Sequence, residues 1–456
     1  EKDLQSVKTD ASLYNGQPTD TGTQCHNVGV TSSTPSILKN KDGVSVESVH
    51  THSKQVCIEG IIRKAKTSYR RQSHAVLFEI SDMLGRLFQS ATLVLLFGML
   101  SLSAAAAPIT VTDLENRTIT LKETPQRIVV GNYILNFLMV GGAESLKKVV
   151  ALPQDGWQAT RFGEYTALTK SFPEIKKIPS IGGYHDNILN TEKIISLKPD
   201  LLLINKSQYA DNNKRVEVLQ KAGIPTVVLD YHALTAANHT QSTKILGELL
   251  NQKSTAESLN RRYLEIADIV RERVSNLPES AKARRVYVET GSKGPGEYGN
   301  TYNKGVLWGG ILNQLQANNI AADMKQPYAA LSREYVLAHN PQIVIITGSI
   351  WQGAHDTDQM RMGLSVSPEE AQSRLSGFAA RPEWKTLEAV KTGEIYGVDH
   401  GSLRSMVDYT YLMDLAKIIY PETFADFDPL AEYNRFWKTY LPEVDGSGTF
   451  FIKLER

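Results

Sequence analysis

Two stretches far apart in the chain follow one plan. "EKIISLKPDLLLIN" runs from Glu192 to Asn205, and "EYVLAHNPQIVIITG" from Glu334 to Gly348. Each offers an acidic residue, a short helical segment, a proline and an unbroken apolar run. Proline stops the helix, because it lacks a backbone donor and restricts the residue before it. A short continuous apolar run after such a stop predicts a strand buried on both faces, which is the parallel-sheet environment.

The surrounding sequence alternates in the same way. "RIVVGN" (127–132), "KKVVAL" (147–152) and "IPTVVLD" (224–230) predict further strands, with "YILNFLMVGGA" and the stretch 212–222 as helices between them. From Thr235 to Leu277 only helix signal remains. Leu259, Tyr263, Ile266, Val270 and Val274 stand at helical spacing, and "NQKSTAE" marks a break before them. Alternation then resumes with "RRVYVETG" and ends in a helix over 407–419. The expected fold class is α/β: two wound α/β lobes joined by one long helix. The expected boundaries are 107–234 for the N-terminal lobe, 235–252 for the linking helix and 253–456 for the C-terminal lobe. Ligands of such open sheets sit beyond the carboxyl ends of the strands, so the cleft between the lobes is the expected site.

The leading hundred residues read differently. Met83 and Arg86 begin a signal-like segment, 83–106, with the apolar core "ATLVLLFGMLSL" and the small-residue run "SAAAAP". That core is too short for a membrane span. Residues 1–82 show no sustained period and are expected to be a mis-assigned or disordered leader. Both cysteines, Cys25 and Cys57, lie in it. A cysteine metal site or disulfide framework beyond residue 57 is therefore excluded. No cysteine stands at the cleavage point, so the expectation is an exported, periplasmic product without a lipid anchor. A formal net charge of +1 gives no basic surface for nucleic acid.

The loops after the strands supply the candidate cleft residues. They are rich in aromatics: Trp157, Tyr165, Tyr184, Tyr298, Tyr302, Trp308, Tyr328 and Trp351. Arg161 and Arg404 can meet an anion through planar paired contacts. His185 and His400 can donate hydrogen bonds or complete an open metal coordination position. No close histidine spacing points to a bare-ion site. An exported enzyme with an inter-lobe active site, using acids such as Asp186 and Glu297, is the competing class. The chain has no G-x-S-x-G, no H-E-x-x-H and no cysteine nucleophile after the signal.

Taken in order, "RIVVGNYILNFLMVGGAESLKKVVAL", "GYHDNILNTEKIISLKPDLLLIN", "AGIPTVVLD", "SREYVLAHNPQIVIITG" and "EWKTLEAVKTGEIYGVD" resemble the periplasmic substrate-binding proteins of ABC importers for cobalamin, haem, ferric siderophores and related metal chelates. The resemblance spans roughly 108–440. It implies no catalysis, no resident cofactor, a bound chelate, and a permease of an ABC importer as partner to a monomer. It also implies that Glu192 and Glu334, one on each lobe, dock on arginines of that permease. An iron-siderophore-type chelate is the favoured ligand; cobalamin, haem and a nickel or molybdate species are the alternatives.

Overall fold

The continuous apolar runs become the inner strands of two sheets. A computed structural model describes residues 107–183, 187–351 and 358–455. The signal-like segment and the leader lie outside the described residues, as do Tyr184 and His185. In the first sheet the strands run in the order Val149–Ala151, Ile128–Val130, Leu201–Asn205, Thr226–Leu229, all parallel. In the second the order is Phe451–Lys453, Ile395–Asp399, Ile343–Gly348, Arg285–Thr290, Asn318–Asn319. Only the edge strand Phe451–Lys453 is antiparallel there. Leu201–Asn205 and Ile343–Gly348 are both inner strands, and every residue in them is buried. A strand covered on both faces has no use for alternation.

The two echoed stretches fold in one register. Asn190 caps the helix Thr191–Ser196 by accepting from the Lys193 amide at 3.0 Å. Ser332 caps Arg333–His339 by accepting from the Tyr335 amide at 3.2 Å. Such a side-chain oxygen satisfies a first-turn donor that the helix leaves unpaired. Glu192 and Glu334 are each the second helical residue, and both are exposed. The residue before each proline turns left-handed: Lys198 has φ 47° and Asn340 φ 42°.

The helical stretch between the lobes is a pair. Ala236–Leu249 ends at Asn251, whose φ of 56° breaks the helix, and Lys253–Ser275 follows. The long helix is thus the second of the two, over residues assigned above to the C-terminal lobe, rather than 235–252. At 23 residues it is about 34 Å long at 1.5 Å per residue. Its stripe Leu259, Tyr263, Ile266, Val270, Val274 is buried throughout. Gly247 lets the helices cross closely, since a Cβ there would stand 2.5 Å from Ala256 Cβ. One apolar cluster runs from Ile128 and Phe137 through Leu259 and Val270 to Leu415 and Phe436. It makes the two lobes and the linking helices one body.

A buried ion pair anchors the second sheet. Arg381 donates to both carboxylate oxygens of Glu289, at 2.8 and 2.7 Å, and to the carbonyls of Pro295 and Glu297, each at 2.8 Å. Its guanidinium lies over Trp384 and Tyr298 at 4.4 and 4.5 Å. Removing one member of such a pair leaves an uncompensated buried charge, at a cost of about 3–5 kcal/mol. Urea unfolding of Arg381→Ala is expected to show that loss; a change below about 1 kcal/mol would be that of a surface pair and would contradict the assignment.

Candidate ligand-binding cleft

The cleft forms where strand ends of both lobes meet. On the first lobe the strand Ile128–Val130 leads into Tyr133, which sits left-handed at φ 61° and opens the helix Ile134–Gly141. Its hydroxyl accepts from the Tyr231 amide at 3.2 Å and meets His232 Nδ1 at 2.5 Å. Burial holds the Tyr133 phenol far above its ordinary pKa, so it stays neutral. Arg161 follows the short helix Trp157–Thr160 and is 9% exposed.

On the second lobe the strand Ile395–Asp399 ends in a carboxylate that shapes the next turn. Asp399 accepts from the amides of Gly401 and Ser402, at 2.8 and 2.9 Å, and from the Tyr411 hydroxyl at 2.8 Å. Burial raises its pKa against these donors, which favour the ionised form. The turn carries Arg404 in a left-handed conformation, φ 68°. Asp408 accepts from the Arg404 amide at 3.1 Å. From the first lobe, Asn136 donates to the Arg404 carbonyl and accepts from the Met406 amide, each at 2.9 Å. Asp408 also bonds His239 Nε2 at 3.0 Å and Tyr263 Oη at 2.9 Å, one from each linking helix. Arg404 therefore stands on a frame to which both lobes and both linking helices contribute.

Arg161 and Arg404 line one pocket together with Tyr133, Asn136, Glu164 and His232. Glu164 accepts from the Trp157 indole at 2.9 Å. Two guanidinium groups against one carboxylate leave a positive excess, which suits an anionic guest. The pocket continues past Arg161 and Glu164 to Ser349, Asp399 and Ser402.

His400 lies between these walls. Its amide donates to the Gly348 carbonyl at 2.7 Å, and its Nδ1 accepts from the Trp308 indole N–H at 3.0 Å. Burial first, then the charges of Arg404 and Arg161, push its pKa well below the ordinary histidine value. The ring is neutral. The same two arginines act on Tyr302, whose hydroxyl bonds Thr290 Oγ1. Tyr302 pairs across two short strands with Tyr328, which is 58% exposed. Trp351 is half-buried, with its ring centre 6.4 Å from that of His400.

The residues expected from sequence thus divide. Arg161, Arg404, His400, Tyr302, Tyr328 and Trp351 gather around the inter-lobe space. Trp157 and Trp308 are fully buried behind it, where they orient Glu164 and His400 instead of facing a guest. Tyr165, half-buried, packs edge-on against Trp157 at 5.3 Å. Tyr298 is not in the cleft wall: it donates to Glu383, accepts from Trp384 at 2.6 Å and covers Arg381. Glu297 is exposed and pairs with Lys293 at 3.7 Å. Tyr133, Asn136, Glu164 and His232 also line the pocket, beyond the residues expected from sequence. His232 stands in the loop three residues past the strand Thr226–Leu229, which is the signal that could have found it; Asn136 is a polar residue inside an apolar helix.

Among the described residues no three or more histidine, cysteine, aspartate or glutamate side chains cluster to hold a metal ion, and no helix is long and apolar enough to cross a membrane. The model of the family described as periplasmic binding protein matches residues 155–400, more than half of the chain. The chain belongs to the periplasmic binding protein family. Its fold superposes on the TroA-like periplasmic binding protein FepB of Veillonella parvula with a TM-score of 0.71 and 31% identity, covering 76% of this chain and all of that one. The ABC transporter substrate-binding lipoprotein YvrC of Bacillus subtilis is 24% identical over 325 residues, 70% of this chain and 88% of that protein. The Fe(3+) dicitrate-binding periplasmic protein FecB of Escherichia coli is 26% identical over 312 residues, 68% and 88% respectively. A vitamin B12-binding protein of Pectobacterium carotovorum is 29% identical over 177 residues, 39% of this chain and only 60% of that protein's length.

Proposed function

We propose that this periplasmic binding protein captures an anionic ferric chelate between its lobes and delivers it to the permease of an ABC importer. The observation that carries the ligand class is the convergence of Arg161 and Arg404 on one pocket, one from each lobe. Guanidinium groups offer paired donors matched to carboxylate and other oxyanion geometry. The Fe(3+) dicitrate-binding relative agrees with that chemistry, and the transporter-associated lipoprotein with the role in import. Tyr302, Tyr328 and Trp351 provide the apolar wall for the organic part of the chelate. Quenching of the protein's tryptophan fluorescence by ferric dicitrate or a ferric tris-catecholate tests this reading; indifference to every anionic ferric chelate would refute it.

Delivery rests on Glu192 and Glu334. Their equal place in two equivalent helices makes them a matched pair of exposed acids, one per lobe. The Glu334 carboxyl is held below the usual range by its own amide and by the Ser332 hydroxyl, so it is charged. Charge pairs of this kind steer and register an encounter more than they tighten it. In the double variant Glu192→Ala/Glu334→Ala, chelate affinity is expected to stay within about twofold while uptake in reconstituted importer falls by about tenfold or more. Equal loss of binding and uptake would remove the docking role.

A further inference from the structure

The Trp308–His400 contact fixes a proton. An indole nitrogen can only donate. His400 Nδ1 therefore accepts at 3.0 Å, and a neutral imidazole that accepts at one nitrogen carries its hydrogen on the other. Nε2 is that nitrogen, and among the described residues it has no hydrogen-bond partner. It is not among the buried polar atoms left without a partner, and the ring stands 6.4 Å from that of the half-buried Trp351. A metal-binding histidine is arranged the opposite way: its second nitrogen donates to a carbonyl or carboxylate, leaving the first with a free lone pair. The burial and positive neighbours that keep His400 neutral do not alter this, because losing the Nε2 proton would require an imidazolate.

His232 faces the same pocket from the other lobe. The Tyr133 hydroxyl accepts from the Tyr231 amide and meets His232 Nδ1 at 2.5 Å. Arg161 and Arg404, beside these histidines, are donors only.

We propose that His400, oriented by Trp308, serves the cleft as a hydrogen-bond donor to ligand oxygen and not as a metal ligand, so that this protein selects chelates whose iron is already fully coordinated. The inference rests on the chelate-binding reading for its consequence, and on the Trp308 contact alone for the histidine. Selectivity follows from the donor set. A hexadentate chelate presents outer oxygens that Arg161, Arg404 and His400 can bond. A tetradentate ferric complex or a bare cation leaves coordination positions that His400, with its proton on Nε2, is not arranged to fill.

Long-range proton–nitrogen NMR on protein labelled with nitrogen-15 in histidine reads the tautomer without any variant. His400 is expected to show a protonated Nε2 and an accepting Nδ1, and Trp308→Phe to lose that bias. A His400 signal with the proton on Nδ1 would overturn the proposal. The second arm compares a hexadentate ferric tris-catecholate with a tetradentate ferric bis-catecholate by fluorescence quenching and visible absorption. The hexadentate complex is expected to bind about tenfold more tightly or better, with its charge-transfer band unmoved on binding. His400→Phe is expected to lose about tenfold in affinity, and His400→Gln, which keeps an N–H near the Nε2 position, to recover most of it. Tighter binding of the tetradentate complex, with a band shift abolished in His400→Phe, would overturn the proposal. If neither complex binds, the functional reading fails and the selectivity with it, while the NMR result still decides the state of the histidine.

Discussion

Replacing Arg161 and Arg404 with alanine is expected to weaken binding of ferric dicitrate or a ferric tris-catecholate by roughly a hundredfold for either single variant. A hydrogen bond to a charged group contributes about 1.5–3 kcal/mol, and each guanidinium offers two such bonds in a mostly buried pocket. The sites share one guest, so the double variant need not show the sum of the single losses. Folding is expected to survive both changes, because each arginine sits near another positive charge and Glu164 keeps the Trp157 indole as a donor. Fluorescence titration of the variants measures the effect. Binding within about threefold of the parent in the double variant would remove the arginines from the site.

A second large effect concerns stability. Asp414 lies in the helix Tyr409–Ile419, buried, and its Oδ2 has no hydrogen-bond partner among the described residues. Burial raises its pKa from 3.8 to about 8, with Lys417 opposing. Unfolded, the group ionises near 3.8; folded, it stays protonated to about 8. Stability linked to Asp414 is therefore fully present below about pH 4 and is lost progressively as pH rises towards 8. At about 1.4 kcal/mol per unit the loss is on the order of 5 kcal/mol by pH 8. Asp414→Asn removes the ionisation and keeps the shape. Urea unfolding is expected to show the variant gaining several kcal/mol over the parent at pH 8 and almost nothing at pH 4.5. A gap that does not change with pH would show that Asp414 is ionised in the folded protein.

The fold was legible because its inner strands are covered on both faces and its helix stops are prolines. "KPDLLLIN" and "NPQIVIITG" needed no tertiary information to be read. The helix pair was harder. Asn251 ends the first helix through a left-handed backbone that many residues can decline, so the sequence marks a break without saying which helix is the long one. Of the two arginines that line one pocket, Arg404 stands in the turn after the strand Ile395–Asp399, whereas Arg161 closes the helix Trp157–Thr160. The aromatics were not legible: Trp157, Trp308 and Tyr298 sit in loops of the same composition as Tyr302 and Trp351, yet their rings turn inward to Glu164, His400 and Arg381. For Trp308 and Tyr298, ring direction depends on partners distant in sequence. Asn136 was hidden for the same reason, since its two bonds go to Arg404 and Met406 on the other lobe.

The most direct test of the account is a side-by-side fluorescence titration of the purified protein. The panel is ferric dicitrate, a ferric tris-catecholate, haem, cyanocobalamin and nickel–histidine at neutral pH. The account predicts saturable one-to-one binding of an anionic ferric chelate, weakened by added salt because the arginine contacts are charged. Saturable binding of cyanocobalamin or nickel–histidine, with no response to either ferric complex, would contradict it.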